Sequence, residues 1–117
     1  MNPAARWRWP AGVLVVAAVA VALAFLFHGN PGRTQPRRHE VEISGFVFVP
    51  ERLEVQPGDT VVWLNRDIVA HTATASSWTT GEIAADSASR VVVAEPGEYR
   101  YTCVLHPTMT GLLVVVP

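Results

Sequence analysis

The sequence predicts an all-β protein, a small β-sandwich preceded by one N-terminal transmembrane or signal helix. From Val41 onward, short apolar and alternating runs are broken by Pro57-Gly58-Asp59, Asn65-Arg66-Asp67 and Glu95-Pro96-Gly97, the pattern of a sandwich built from short strands. The residues of those runs are largely β-branched or aromatic, as strands prefer. Ahead of them, Ala11 to Phe27 contains no charged or strongly polar side chain, which marks that stretch as a separate apolar segment. A chain of 117 residues has room for one small domain and no second core.

Taken in order, Arg6 and Arg8 alternate with Trp7 and Trp9 and lead into the apolar run. At about 1.5 Å per residue the run falls a little short of a ~30 Å hydrocarbon core and can span it only at the lower length limit, so it reads either as an anchor or as a signal peptide. Ala22-Leu23-Ala24 offers a small-x-small cleavage signature, whereas Phe25 to Phe27 and the two tryptophans suit an uncleaved anchor. Residues 1–28 are therefore a signal anchor or signal peptide. Residues 29–39, with Gly29, Pro31, Gly32, Pro36 and three arginines, form a linker. Residues 40–117 form the sandwich.

Within 40–117 the expected strands are Val41 to Val49, Leu53 to Val55, Val61 to Asn65, Ala70 to Ala75, Arg90 to Ala94, Tyr99 to Thr102 and Leu112 to Val116. Gly81 to Ser89 has room for a short turn of helix. All ten acidic residues fall between Glu40 and Glu98, against Arg52, Arg66, Arg90 and Arg100, and the chain has no lysine. An acidic domain of this kind disfavours nucleic acid and permits steering toward a basic partner. Only one cysteine is present, so the core gets no internal disulfide and a bound metal can contribute to its stability.

The chemistry is concentrated near the C-terminus. Cys103, His106 and Met109 place a thiolate, an imidazole and a thioether at three-residue intervals. Thiolate and thioether favour Cu(I) and imidazole also suits Cu(II), so two His, one Cys and a weak axial Met serve both oxidation states of one copper ion. The second imidazole has to come from elsewhere, and His71 is the candidate. His28 follows the apolar run and His39 lies in the Arg- and Pro-rich linker. Each of these residues taken alone is an ordinary core or surface residue; their combination carries the reading.

At these residues the sequence resembles the blue-copper cupredoxins, and the spacing of Cys103, His106 and Met109 is most similar to the amicyanins. The resemblance runs from about Val41 to Pro117 and includes Phe48, Pro50, Gly58 to Val61, Trp63, Asn65 and Pro96 to Tyr99. It implies a Greek-key, cupredoxin-like sandwich and one copper ion held by His71, Cys103, His106 and Met109. It further implies electron exit through His106 near the surface, with Leu105, Thr108, Val69 and Ala70 on the rim. Thr72 is a departure, because amicyanins and plastocyanins usually carry Asn directly after the upstream His. That position bears on the hydrogen bonds that steady the ligand loop.

The expected function is that of a type 1 copper protein carrying single electrons between redox protein partners. The resemblance implies export, which places the domain at the periplasmic face of a bacterial inner membrane, held by the N-terminal helix or freed by its cleavage. The arginines flanking the apolar run are balanced and do not themselves set its orientation. The alternative is a copper-binding and delivery protein without redox cycling. An enzyme is not expected: there is no Ser/His/Asp set, phosphate-binding glycine loop or carboxylate pair in an evident pocket, and no second metal site.

Overall fold

The computed structural model describes residues 35–117. The apolar run and the expected anchor or signal helix lie outside the described residues. Seven strands are formed: β1 (Arg38–Ser44), β2 (Val47–Val49), β3 (Arg52–Val55), β4 (Thr60–Asn65), β5 (Ala88–Val92), β6 (Gly97–Cys103) and β7 (His106–Val115). They make a four-stranded sheet in the order β2-β1-β4-β5 and a three-stranded sheet in the order β3-β7-β6. Each sheet contains one parallel pair, β1 with β4 and β3 with β7, and its other neighbours are antiparallel.

Alternation decides which side chains meet between the sheets. On β1, Val41 and Ile43 are buried while Glu40, Glu42 and Ser44 face out; on β4, Val61, Trp63 and Asn65 are buried on one face. Val41, Ile43, Val61 and Trp63 join Phe48, Val55, Ala73, Ile83, Val93, Tyr101, Cys103, Met109, Leu113 and Val115 in one continuous core. Its centre is aromatic. Tyr101 lies edge-on to Phe48 at 4.8 Å and to Trp63 at 5.6 Å, and Trp78 packs on both Trp63 and Tyr101. Tyr101 stands opposite Gly111 on β7, and a Cβ there would fall 2.3 Å from the phenol ring, so glycine is what lets the ring lie across the strand.

At one pole, the buried Asp59 carboxylate accepts the backbone N–H groups of Arg37 and Gln56 and meets Nε2 of His39 at 2.9 Å. Arg38 and His39, expected in the linker, thus belong to the first strand. The run from Val41 to Val49, expected as one strand, is a hairpin. Gly45 and Phe46 form its two-residue turn, with φ of 63° and 62°, the left-handed pair that such a turn requires. Glycine adopts that conformation freely, but for phenylalanine it costs about 1–2 kcal/mol.

Ala70 to Ala75 does not become a ladder strand. Its residues bond in turn to different neighbours, through isolated bridges His71–Ile83, Thr74–Thr79 and Thr74–Thr102. Gly81 to Ser89 holds no helix; it contains a turn at Ala85-Asp86, with Asp86 left-handed, before β5 begins. β7 starts at His106 rather than Leu112, because Cys103 pairs with His106 across the two-residue turn Val104-Leu105.

Burial of Tyr101, helped by the charge of Glu51 and opposed by the nearby Trp63 indole, pushes the phenol up to about 12. In the folded state the proton is therefore held after the unfolded chain, near 10.0, has released it, and stability falls as pH rises between those values. Tyr101→Phe removes the loss, which amounts to about 2–3 kcal/mol for a shift of this size. Denaturant unfolding at pH 8 and pH 11.5 is expected to show a shallower decline for the variant than for the parent.

Candidate metal centre

Two segments supply the donors. One is the crossing from β4 to β5, which carries His71; the other is the turn from β6 into β7, which carries Cys103 and His106. They are stitched together by backbone. Thr74 and Thr102 exchange reciprocal N–H to O bonds at 2.9 Å, and His71 does the same with Ile83 at 3.1 and 2.7 Å. Within the turn, Thr102 pairs with Thr110 but Cys103 pairs with His106, so Pro107, Thr108 and Met109 bulge out of the ladder.

The result is a compact donor cluster. One ligand atom each from His71, Cys103 and His106 lies within 4.8 Å of the others. Cys103 Sγ is 3.8 Å from Nδ1 of His71 and 3.6 Å from Nδ1 of His106. A nitrogen at about 2.0 Å and a sulfur at about 2.3 Å from one ion, in trigonal to tetrahedral directions, stand about 3.5–3.7 Å apart. Both sulfur–nitrogen distances are thus close to those of ligands sharing an ion, and a thiolate with two imidazoles is a set suited to copper. His71 and Cys103 are fully buried, and His106 is half-buried.

Each donor is held from behind. Nε2 of His71 donates to Asp67 Oδ2 at 2.9 Å, which fixes the tautomer and turns the Nδ1 lone pair toward the sulfur. Asp67 also accepts the N–H groups of Gly45 at 2.7 Å and Phe46 at 3.0 Å. Burial works to raise its pKa, but these backbone bonds and His71 outweigh it and hold the carboxyl below its ordinary value. Asn65 secures the intervening loop: its Oδ1 accepts the Asp67 N–H and its Nδ2 donates to the carbonyls of Val69 and Ile83.

Thr72 fills the place where the resemblance leads one to expect Asn. Its N–H donates to Cys103 Sγ at 3.3 Å, and its Oγ1 accepts the Val104 N–H at 3.0 Å and the Thr74 hydroxyl at 3.1 Å. The hydroxyl thus ties the two donor segments together.

All four expected ligands are at this pole. Met109 is buried in the bulge and lines, with Phe46, Phe48 and Thr108, a cavity of about 120 Å³. Of the expected rim residues, Leu105, Val69 and Thr108 are exposed and Ala70 is half-buried. His39 is spent on Asp59.

Two participants escape a reading of the sequence. Asp67 looks there like a turn residue, and it is one, but its place four residues before His71 also brings its carboxylate to the imidazole. Phe46 reads as a strand residue; Gly45 inside an alternating run was the available signal that the chain turns there. Its ring meets both imidazoles edge-on, 5.1 Å from His71 and 4.9 Å from His106.

The chain matches the cupredoxin-like domain family over residues 15–115. Amicyanin of Paracoccus denitrificans is 33% identical over 82 residues, 64% of this chain and 63% of that protein, so the match spans just under two thirds of the relative's length. Among solved structures, an oxidised variant of amicyanin superposes with a TM-score of 0.64 at 27% identity, covering 67% of this chain and 81% of the other. A copper-containing nitrite reductase from Thermus scotoductus gives a TM-score of 0.65 at 26% identity, covering 80% of this chain but only 26% of the enzyme. The chain belongs to the cupredoxin-like domain family, and its thiolate and two imidazoles are a donor set suited to copper.

Thr72→Val removes the acceptor for the Val104 N–H and is expected to destabilise the metal-free chain by about 1–2 kcal/mol, with Thr72→Ser restoring most of the loss. Denaturant unfolding of the three proteins checks this.

Proposed function

We propose that the chain is a single-electron carrier with a type 1 copper site formed by His71, Cys103, His106 and an axial Met109. The observation that carries the reading is the convergence of one thiolate and two imidazoles on one point. Copper held there supplies a reversible one-electron couple. The residues keep the cost of cycling low, because Asp67, Thr72 and the reciprocal backbone bonds fix the donors in one geometry. The N–H of Thr72 on the Cys103 sulfur and the thioether of Met109 tune the potential.

Partner contact falls to His106, the donor that reaches the surface, beside the exposed side chains of Leu105 and Val69. Donor and acceptor are redox proteins. The domain works on the periplasmic side of a bacterial inner membrane, tethered by residues 1–28 or released when that segment is cleaved. The burial of Cys103 and His71 favours a carrier over copper delivery, since transfer of the ion to an acceptor calls for reachable donors. Four protein donors leave no open position for a substrate, which favours a carrier over an enzyme as well.

Titration of the chain with Cu(II) is expected to give an intense blue colour with narrow copper hyperfine splitting in the EPR spectrum. Ascorbate should bleach it and reoxidation restore it, while Cys103→Ser should give none. A colourless chain that takes up only Cu(I) decides for delivery instead.

Met109→Gln is expected to keep the copper and shift the reduction potential. An unchanged potential removes Met109 from the ligand set.

A further inference from the structure

Phe46 stands where neither backbone preference nor burial asks for an aromatic residue. It is left-handed, with φ of 62°, and its side chain is 47% exposed. A conformation of this kind persists when surrounding contacts fix it, and such residues concentrate at functional sites. The contacts here are specific. The Phe46 ring lies at 88° to the ring of His71 and at 87° to that of His106, and the two imidazoles are themselves 4.9 Å apart. The three rings close a triangle at the donor cluster.

One carboxylate latches this triangle. Asp67 accepts the N–H groups of Gly45 and Phe46, which holds the turn, and the Nε2–H of His71, which holds the first imidazole. Phe46 also lines the cavity that Met109 borders. Its ring therefore lies against both imidazoles and at the edge of the space beside the thioether.

We infer that Phe46 is a positioning residue of the metal centre: its ring holds His71 and His106 in their ligating orientations and closes the path by which the ion leaves. This rests on the copper reading above. The residue governs how fast the metal exchanges, and the domain folds without it.

The test substitutes Phe46→Asn, which tolerates the left-handed backbone and lacks the ring; Phe46→Gly serves if the first variant fails to fold. Two properties are read in the metal-free chain, the unfolding temperature and the NMR line widths of the His71 and His106 ring protons. In the copper-loaded chain, transfer of copper to an excess of chelator is timed. The variant is expected to unfold no lower than the parent, to show broadened imidazole signals, and to lose copper about tenfold faster or more, as loss of a supporting contact does at metal sites. Unchanged line widths together with an unchanged transfer rate overturn the inference. A lowered unfolding temperature with an unchanged transfer rate also overturns it, making Phe46 an ordinary turn residue. If the parent takes up no copper, the copper reading fails by itself, and the line widths in the metal-free chain still decide whether Phe46 orients the imidazoles.

Discussion

The seam between the segment around Thr72 and the end of β6 is the constraint on which the site depends. His71 and Cys103 are 32 residues apart in sequence, and nothing local brings them together. The reciprocal Thr74–Thr102 bonds set the register of one segment against the other. Thr72 then uses its backbone on the sulfur and its side chain on the next turn. Backbone bonds of this kind are shorter in reach and less adjustable than side-chain contacts, so a sliding of the two segments by one residue would dissolve the donor cluster as a whole. Geometry at the metal is thereby inherited from strand register.

The same pole shows how a small core supports a rigid site. Trp63, Trp78 and Tyr101 fill the centre, with Tyr101 two residues before Cys103 on β6, and Gly111 leaves the space that the Tyr101 ring needs. Interiors packed this closely transmit strain rather than absorb it, so the sulfur is backed by a stiff wall. Asp67 performs the corresponding task for His71 from outside the core. One donor is braced by packing and the other by charge-assisted hydrogen bonds, which are the stronger class of polar contact.

Much of this was legible beforehand. Six of the expected strand segments overlap ladder strands because their alternation survives into the structure: Val41 and Ile43 inward, Glu40 and Glu42 outward. The cluster of His71, Cys103 and His106 was legible because thiolate, imidazole and thioether at regular spacing form a rare combination. The failures share a cause. Ala70 to Ala75 has strand composition, but its hydrogen bonds go to several elements, and composition does not say where a partner lies. Phe46 was hidden for the converse reason: an aromatic residue in an alternating run carries strand propensity, and the turn overrides it. Asp67 could be placed in a turn from its neighbours, yet its second task follows only once the chain has bent His71 back over it.

The three-residue bulge at Pro107 to Met109 separates two kinds of sequence freedom. On the sheet side, pairing resumes at Thr110 opposite Thr102 and continues to Val115 opposite Gly97, so the inward and outward assignment of β7 is fixed from there. On the metal side, His106 is already anchored opposite Cys103. Length added or removed between these two anchors is absorbed by the bulge and leaves the core contacts of Leu113 and Val115 in place. The spacing between the imidazole and the thioether can thus drift between related proteins, altering the reach and angle of the sulfur, while the sandwich that carries them stays the same.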